Sequence, residues 1–119
     1  VFSDPAGFLK PAVAAIREAG GLSIADEVQP GFGRTGAGMW GFERHGLVPD
    51  MVTMGKPMGN GHPVAGMVAR PEILETFGQR TRYFNTFGGN PVSCAVGMAV
   101  LDVIEDQGLV ANAKTVAPA

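Results

Sequence analysis

Two short apolar runs, Leu22-Ser23-Ile24-Ala25 and Met51-Val52-Thr53-Met54, each lead into a chemically capable side chain: Asp26 directly after the first and Lys56 just past the second. Runs of this length, bounded by glycine and proline, are too short for helices and suit the buried strands of a parallel sheet. Helix-like segments lie on either side of them, so the chain reads as α/β. In open α/β sheets, ligands collect at the carboxyl ends of the strands. Asp26 and Lys56 are therefore expected on one edge of one sheet.

The remaining elements follow from local signals. Asp4-Pro5 offers a side-chain cap and a proline suited to a first helical turn, and Phe8, Leu9, Val13 and Ile16 then recur at helical spacing until Gly20-Gly21. Pro11 sits within this pattern and favours a regular helix from that point. Glycine density from Gln29 to Gly46 predicts a loop with one helical turn near Trp40-Gly41-Phe42-Glu43, closed by Pro49-Asp50. Val64 to Ala69 reads as a third strand and Pro71 to Phe77 as a short helix before Gly78. Asn90 and Pro91 supply a cap and first turn for a helix to about Asp106, with Gly108 beyond. The first half of that helix is apolar or small on nearly every side, which predicts burial at its start. On this reading Cys94 is inert packing, Trp40 and Phe42 pack against the sheet, and His45 and His62 are structural.

Composition removes several classes of function. A 45% hydrophobic content over 119 residues is enough for a small core. Nine basic against eleven acidic side chains give a net charge of −2, with no run of Lys and Arg to follow a phosphate backbone, so nucleic acid is not an expected partner. Cys94 is the only cysteine, so no disulfide closes within the chain, and with only His45 and His62 no metal site is expected. A lone thiol fits a reducing compartment: the cytoplasm, or the mitochondrial matrix in a eukaryote. The longest apolar run, Pro91 to Leu101, is broken by Ser93 and Gly97 and falls well short of the roughly 20 residues that cross a bilayer. Val1 at the start and Thr115-Val116-Ala117-Pro118-Ala119 at the end read as the limits of an internal fragment.

A lysine and an aspartate at neighbouring strand ends suit an aldehyde cofactor built on a pyridine ring. The amine can form a Schiff base, and the carboxylate can keep a ring nitrogen protonated. Alone, the lysine reads as a solvated charge and the aspartate as a turn cap; the pair gives them a joint chemistry. Two glycine patterns compete. Gly31-Phe32-Gly33-Arg34-Thr35-Gly36 fits the dinucleotide fingerprint and follows a strand, yet further glycines replace the helix it must open, and no acidic residue ends a second strand about 20 residues on. Gly55-Lys56 is not a phosphate-binding loop, because Pro57 stands where Ser or Thr is needed and Asp50 where the first glycine belongs.

Three ordered segments carry a resemblance. Ile24-Ala25-Asp26-Glu27-Val28-Gln29 with Gly31 to Gly36, Gly55-Lys56-Pro57-Met58-Gly59-Asn60-Gly61, and Phe84-Asn85-Thr86-Phe87-Gly88-Gly89-Asn90-Pro91 resemble the class III, omega-amino acid type, pyridoxal phosphate-dependent aminotransferases. The likeness runs from about Phe8 to Lys114. From Lys56 through Cys94 it is nearest to the branch that holds mitochondrial-type alanine-glyoxylate aminotransferase and ethanolamine-phosphate phospho-lyase.

The resemblance implies part of the large cofactor-binding domain of a fold-type I, aspartate aminotransferase-like enzyme, occupying residues 1–119. It implies pyridoxal 5'-phosphate held by Lys56 as a Schiff base and by Asp26 at the pyridinium nitrogen. Val28 would pack on one face of the ring, Gln29 would bond near its phenolic oxygen, and Thr86 would reach the cofactor phosphate of the neighbouring subunit. A homodimer with shared active sites follows from that role of Thr86. The implied reaction transfers an amino group from an amino donor to a 2-oxo acid. Elimination of phosphate from a phosphorylated amine is the alternative, and a non-catalytic fragment of the fold is another. The family's upstream phosphate cup, the aromatic residue on the other ring face and the C-terminal small domain have no counterpart in this chain.

Overall fold

The computed structural model describes residues 5–116. The Asp4 cap therefore lies outside the described residues. The first helix, α1 (Lys10–Glu18), opens with Pro11 in its first turn and has no side-chain cap at Leu9. Its end is set by Gly20, whose φ of 79° lets the chain reverse while the amides of Gly20 and Gly21 bond back to the carbonyls of Arg17 and Ile16. Strand β1 (Ile24–Asp26) follows, and a long loop with a 3₁₀ turn at Gly41–His45 leads to β2 (Met51–Met54). A second 3₁₀ turn at Lys56–Met58, strand β3 (Gly66–Ala69) and helices α2 (Pro71–Arg80), α3 (Pro91–Asp106) and α4 (Leu109–Val116) complete the chain.

The three strands form one sheet in the order β1-β2-β3. β1 and β2 are parallel, with Ile24 opposite Met51, Ala25 opposite Val52 and Asp26 opposite Thr53. β2 and β3 are antiparallel, from Met51 opposite Ala69 to Met54 opposite Gly66. The amide of Glu27 bonds the Thr53 carbonyl at 2.9 Å and carries the β1–β2 ladder one step further, to the point where Asp26 and the turn bearing Lys56 leave the sheet.

The opposite end of these strands is closed by Asp50. Its side chain is almost fully buried and accepts from the Ser23 amide at 2.8 Å, the Ser23 hydroxyl at 2.7 Å and Arg70 Nη1 at 3.0 Å, with Arg17 at 3.4 Å. The Ser23 amide and hydroxyl, followed by Arg70, hold the Asp50 carboxyl well below the usual aspartate range. Burial pushes the other way, and the charge of Arg17 adds to the lowering. One carboxylate thus joins α1, the entry to β1, the start of β2 and the entry to α2. Arg70 also pairs with Glu72.

Among the described residues no hydrophobic side chain is buried; the buried polar ones are Glu27, His45 and Asp50. This corrects the expectation of a self-contained core, of a buried first strand and of a buried start to α3. Ile24 is 60% exposed, Met98 59% and Cys94 is exposed as well. The physical reason is shape. The chain is a slab of 46 × 41 × 18 Å with a radius of gyration of 16.0 Å. A compact domain of this length would have a radius of about 13.5 Å. Its apolar residues line the faces of one layer, and a layer becomes a core only when another is laid against it.

Trp40 and Phe42 stack on each other with ring centroids 6.4 Å apart, and Phe32 meets Trp40 edge-on at 5.3 Å. His45 is structural as expected: it is buried, its Nδ1 accepts from the Gly7 amide at 3.1 Å, and its ring meets Phe8 edge-on. Among the described residues no helix is long and apolar enough to cross a membrane.

Candidate active site

Asp26 ends β1, and Lys56 begins the turn just after β2, so the parallel pairing brings the two to the same edge of the sheet. The Asp26 carboxylate is tied down through one oxygen. Oδ1 accepts from the Val28 amide at 3.1 Å and from the Thr53 hydroxyl at 3.3 Å. No partner of Oδ2 is seen among the described residues, and Asp26 is exposed on this edge. Lys56 is also exposed, and its amine meets no described partner.

Lys56 has a φ of 31°, in the left-handed region that a side chain with a Cβ normally avoids. Such backbone persists where the surroundings over-determine it, and it clusters at functional sites. Two features hold it here. Gly55 before it is buried between Val28 and Ala65, whose nearest carbons would lie 3.7 and 3.8 Å from a Cβ added there. After it, the amides of Met58, Gly59 and Asn60 bond back to the carbonyls of Gly55, Lys56 and Pro57. Gly59 is required at its position: a Cβ would sit 2.1 Å from the His62 carbonyl oxygen.

Of the other expected site residues, Val28 lies against this turn through Gly55, and Gln29 is exposed at the head of the following loop. Thr86 stands apart. It lies in an exposed turn between α2 and α3, and no described contact joins it to Asp26 or Lys56. The turn is shaped by Asn85, whose side chain accepts from the Phe87 amide at 3.1 Å. A bridge does run toward it. His62 Nε2 lies 2.9 Å from Ser93 Oγ, and Asn90 caps α3 by accepting from the Ser93 amide at 2.9 Å while its own amide donates to Ser93 Oγ at 3.0 Å. The segment after Lys56 is thus fastened to the helix that follows Thr86.

Sequence reasoning missed Glu27. It is 2% exposed, and its two oxygens accept from the amides of Gly41 at 2.7 Å and Phe42 at 3.0 Å. An acidic residue directly after a functional one carried no spacing signal of its own, because its partners are backbone groups of a distant loop. The glycine pattern of that loop also finds its explanation. No α-helix opens at Gly36; the segment runs through turns to the 3₁₀ turn at Gly41–His45. Its glycines admit α4 instead: a Cβ on Gly33 would fall 2.6 Å from Val110 Cγ2, and one on Gly36 2.6 Å from the Lys114 amide nitrogen. Among the described residues no group of His, Cys, Asp and Glu is arranged to hold a metal.

The donor set fits a pyridine aldehyde. An unengaged amine and a carboxylate with one open oxygen share an edge, and Val28 lies between their two strand ends. The family model of class III aminotransferases matches residues 1–118. The chain belongs to the class III aminotransferases. Members of this family are pyridoxal phosphate enzymes. The chain is 51% identical over 116 residues to human mitochondrial alanine-glyoxylate aminotransferase 2, a match that covers 98% of this chain and 23% of that protein. Among solved structures, a phospholyase from Arthrobacter in complex with phosphoethanolamine superposes with a TM-score of 0.86 at 52% identity, covering 90% of this chain and 25% of that one. An (S)-enantioselective omega-transaminase from Thermomicrobium roseum gives 0.81 at 38% identity, covering 91% and 25%. The chain spans about a quarter of the length of these class III relatives. The open faces of the slab agree with that share.

Proposed function

We propose that residues 1–119 form part of the large cofactor-binding domain of a pyridoxal phosphate-dependent aminotransferase, which passes an amino group from an amino donor to a 2-oxo acid. The observation that carries this reading is the pairing of Asp26 with Thr53, which brings a carboxylate with an open oxygen to the edge where the strained Lys56 presents its amine. Lys56 Nζ would hold the cofactor, Asp26 Oδ2 would take the ring N–H, Val28 would pack against the ring and Gln29 would bond near its phenolic oxygen. The bound cofactor supplies an electron sink for the substrate carbon. Lys56 Nζ, exposed on the sheet edge, would carry the proton from that carbon to the aldehyde carbon of the cofactor. The negative charge of the Asp26 carboxylate would keep the proton on the ring nitrogen. Thr86, on its exposed turn, would serve the site of a second copy, which makes the enzyme a homodimer with shared sites. The cytoplasm or the mitochondrial matrix is the compartment this reading implies.

The likeness to the Arthrobacter phospholyase favours a second reading, elimination of phosphate from a phosphorylated amine. The two separate in one assay on the whole protein. With alanine and glyoxylate the aminotransferase reading expects pyruvate and glycine, and with ethanolamine phosphate it expects no free phosphate. Rapid phosphate release with no amino transfer would replace the first reading by the second.

A further inference from the structure

Thr53 is not among the residues assigned to the cofactor above, yet its hydroxyl is one of two donors on the carboxylate of Asp26. We propose that Thr53 is a positioning residue that orients Asp26 toward the ring nitrogen of the cofactor. This rests on the reading of Asp26 as the partner of that nitrogen. Asp26 and Thr53 are register partners on parallel strands, so their side chains leave the sheet on the same face. The Val28 amide alone would fix Oδ1 by a local turn within one segment. The Thr53 hydroxyl adds a bond from the neighbouring strand, so Oδ1 is held from two directions and the carboxyl group cannot turn about its bond to Cβ without breaking one of them. Oδ2 remains as the oxygen available to a ligand.

The bond also links the two catalytic elements. Thr53 stands three positions before Lys56, on the strand whose end sets the lysine turn. A shift of β2 along β1 would move the amine and release the carboxylate together. The hydroxyl therefore orients one partner of the cofactor and ties its location to that of the other.

The test uses the whole protein and Thr53→Val, which keeps the branched shape and strand preference and removes only the hydroxyl. The first readout is the dissociation constant of pyridoxal phosphate, followed by fluorescence. The second is the ¹⁵N chemical shift of the ring nitrogen in labelled cofactor. Thr53→Val is expected to weaken binding about tenfold, as the loss of a hydrogen bond to a charged group implies, and to move the nitrogen signal toward the unprotonated ring. Thr53→Ser, which keeps the hydroxyl, is expected to behave as the wild type. Thr53→Ala serves as a second hydroxyl-free variant if the valine protein does not fold. Wild-type binding and nitrogen shift in a folded hydroxyl-free variant, with Asp26→Asn changing both, would overturn the role of Thr53 and leave that of Asp26 standing. An unmoved nitrogen signal in Asp26→Asn would remove the reading of Asp26 and this proposal with it. Equal losses in Thr53→Val and in Thr53→Ser, which keeps the hydroxyl, would show that the hydroxyl does not carry the effect and would overturn the proposal.

Discussion

Glu27 offers the sharpest test of how this edge is held. Its carboxylate is shut away from water and receives the amides of Gly41 and Phe42 at 2.7 and 3.0 Å, so Glu27→Ala removes two bonds to a charged acceptor at once. Bonds of that kind contribute roughly 1.5–3 kcal/mol each, and a buried amide left without an acceptor carries the desolvation cost itself. The loss is therefore about 3 kcal/mol at the lower bound, which corresponds to roughly a hundredfold in the local opening equilibrium. Amide hydrogen exchange on the folded whole protein reads that equilibrium residue by residue. Gly41 and Phe42 are expected to lose about a hundredfold in protection, with the 3₁₀ turn at Gly41–His45 loosening around them. Glu27→Gln is expected to lose less, because its carbonyl oxygen can still accept one of the two amides. A change below tenfold at both amides would refute the reasoning, since water would then be replacing the carboxylate at little cost.

Two further predictions bear on the two ends of the strand pair. Because the folded Asp50 carboxyl lies below its ordinary value of 3.8, it contributes stability above that pH and loses it as pH falls toward the folded value. Urea midpoints should decline on acidification below about pH 4 in the wild type and decline less in Asp50→Asn, and parallel declines would remove Asp50 from the cause. At the other end, the φ of 31° at Lys56 predicts that Lys56→Gly is more stable to urea than Lys56→Ala. The margin is about 1 kcal/mol, the strain relieved at a left-handed position net of glycine's greater entropy when unfolded. Equal midpoints would show the turn to be unstrained.

The parts of this fold legible in the sequence were those with local causes. Pro91 after Asn90 placed the start of α3, and Met51 to Met54 stood out as β2 between Pro49-Asp50 and Gly55. The third strand was expected from Val64 and begins at Gly66, because Pro63, Val64 and Ala65 complete the approach from the lysine turn before the ladder with β2 begins. Helix α4 was missed: Gly108 stops α3 with a φ of 59°, and the short Leu109–Val116 segment that follows is helical while packed on α3 and against Gly33 and Gly36. The edge shared by Asp26 and Lys56 was readable because strand ends and parallel pairing are general rules. Asp50 and Glu27 were not, because their partners are Ser23, Arg70 and loop amides far along the chain, and no periodicity marks a side chain that serves someone else's backbone.

Strands of three and four residues contain few ladder bonds with which to choose their alignment, and a slip of one residue would turn every side chain to the other face. The Asp50 cluster supplies the missing choice. By gripping Ser23 at the start of β1 from the start of β2, it sets a zero mark, and the distance from that mark to Asp26 and Lys56 is counted off in whole residues. The chemistry at one end of the sheet is thus measured from a charge at the other. An inserted or deleted residue in β1 or β2 would be a misreading of that scale, and it would separate the carboxylate from the amine even with every side chain at the site unchanged.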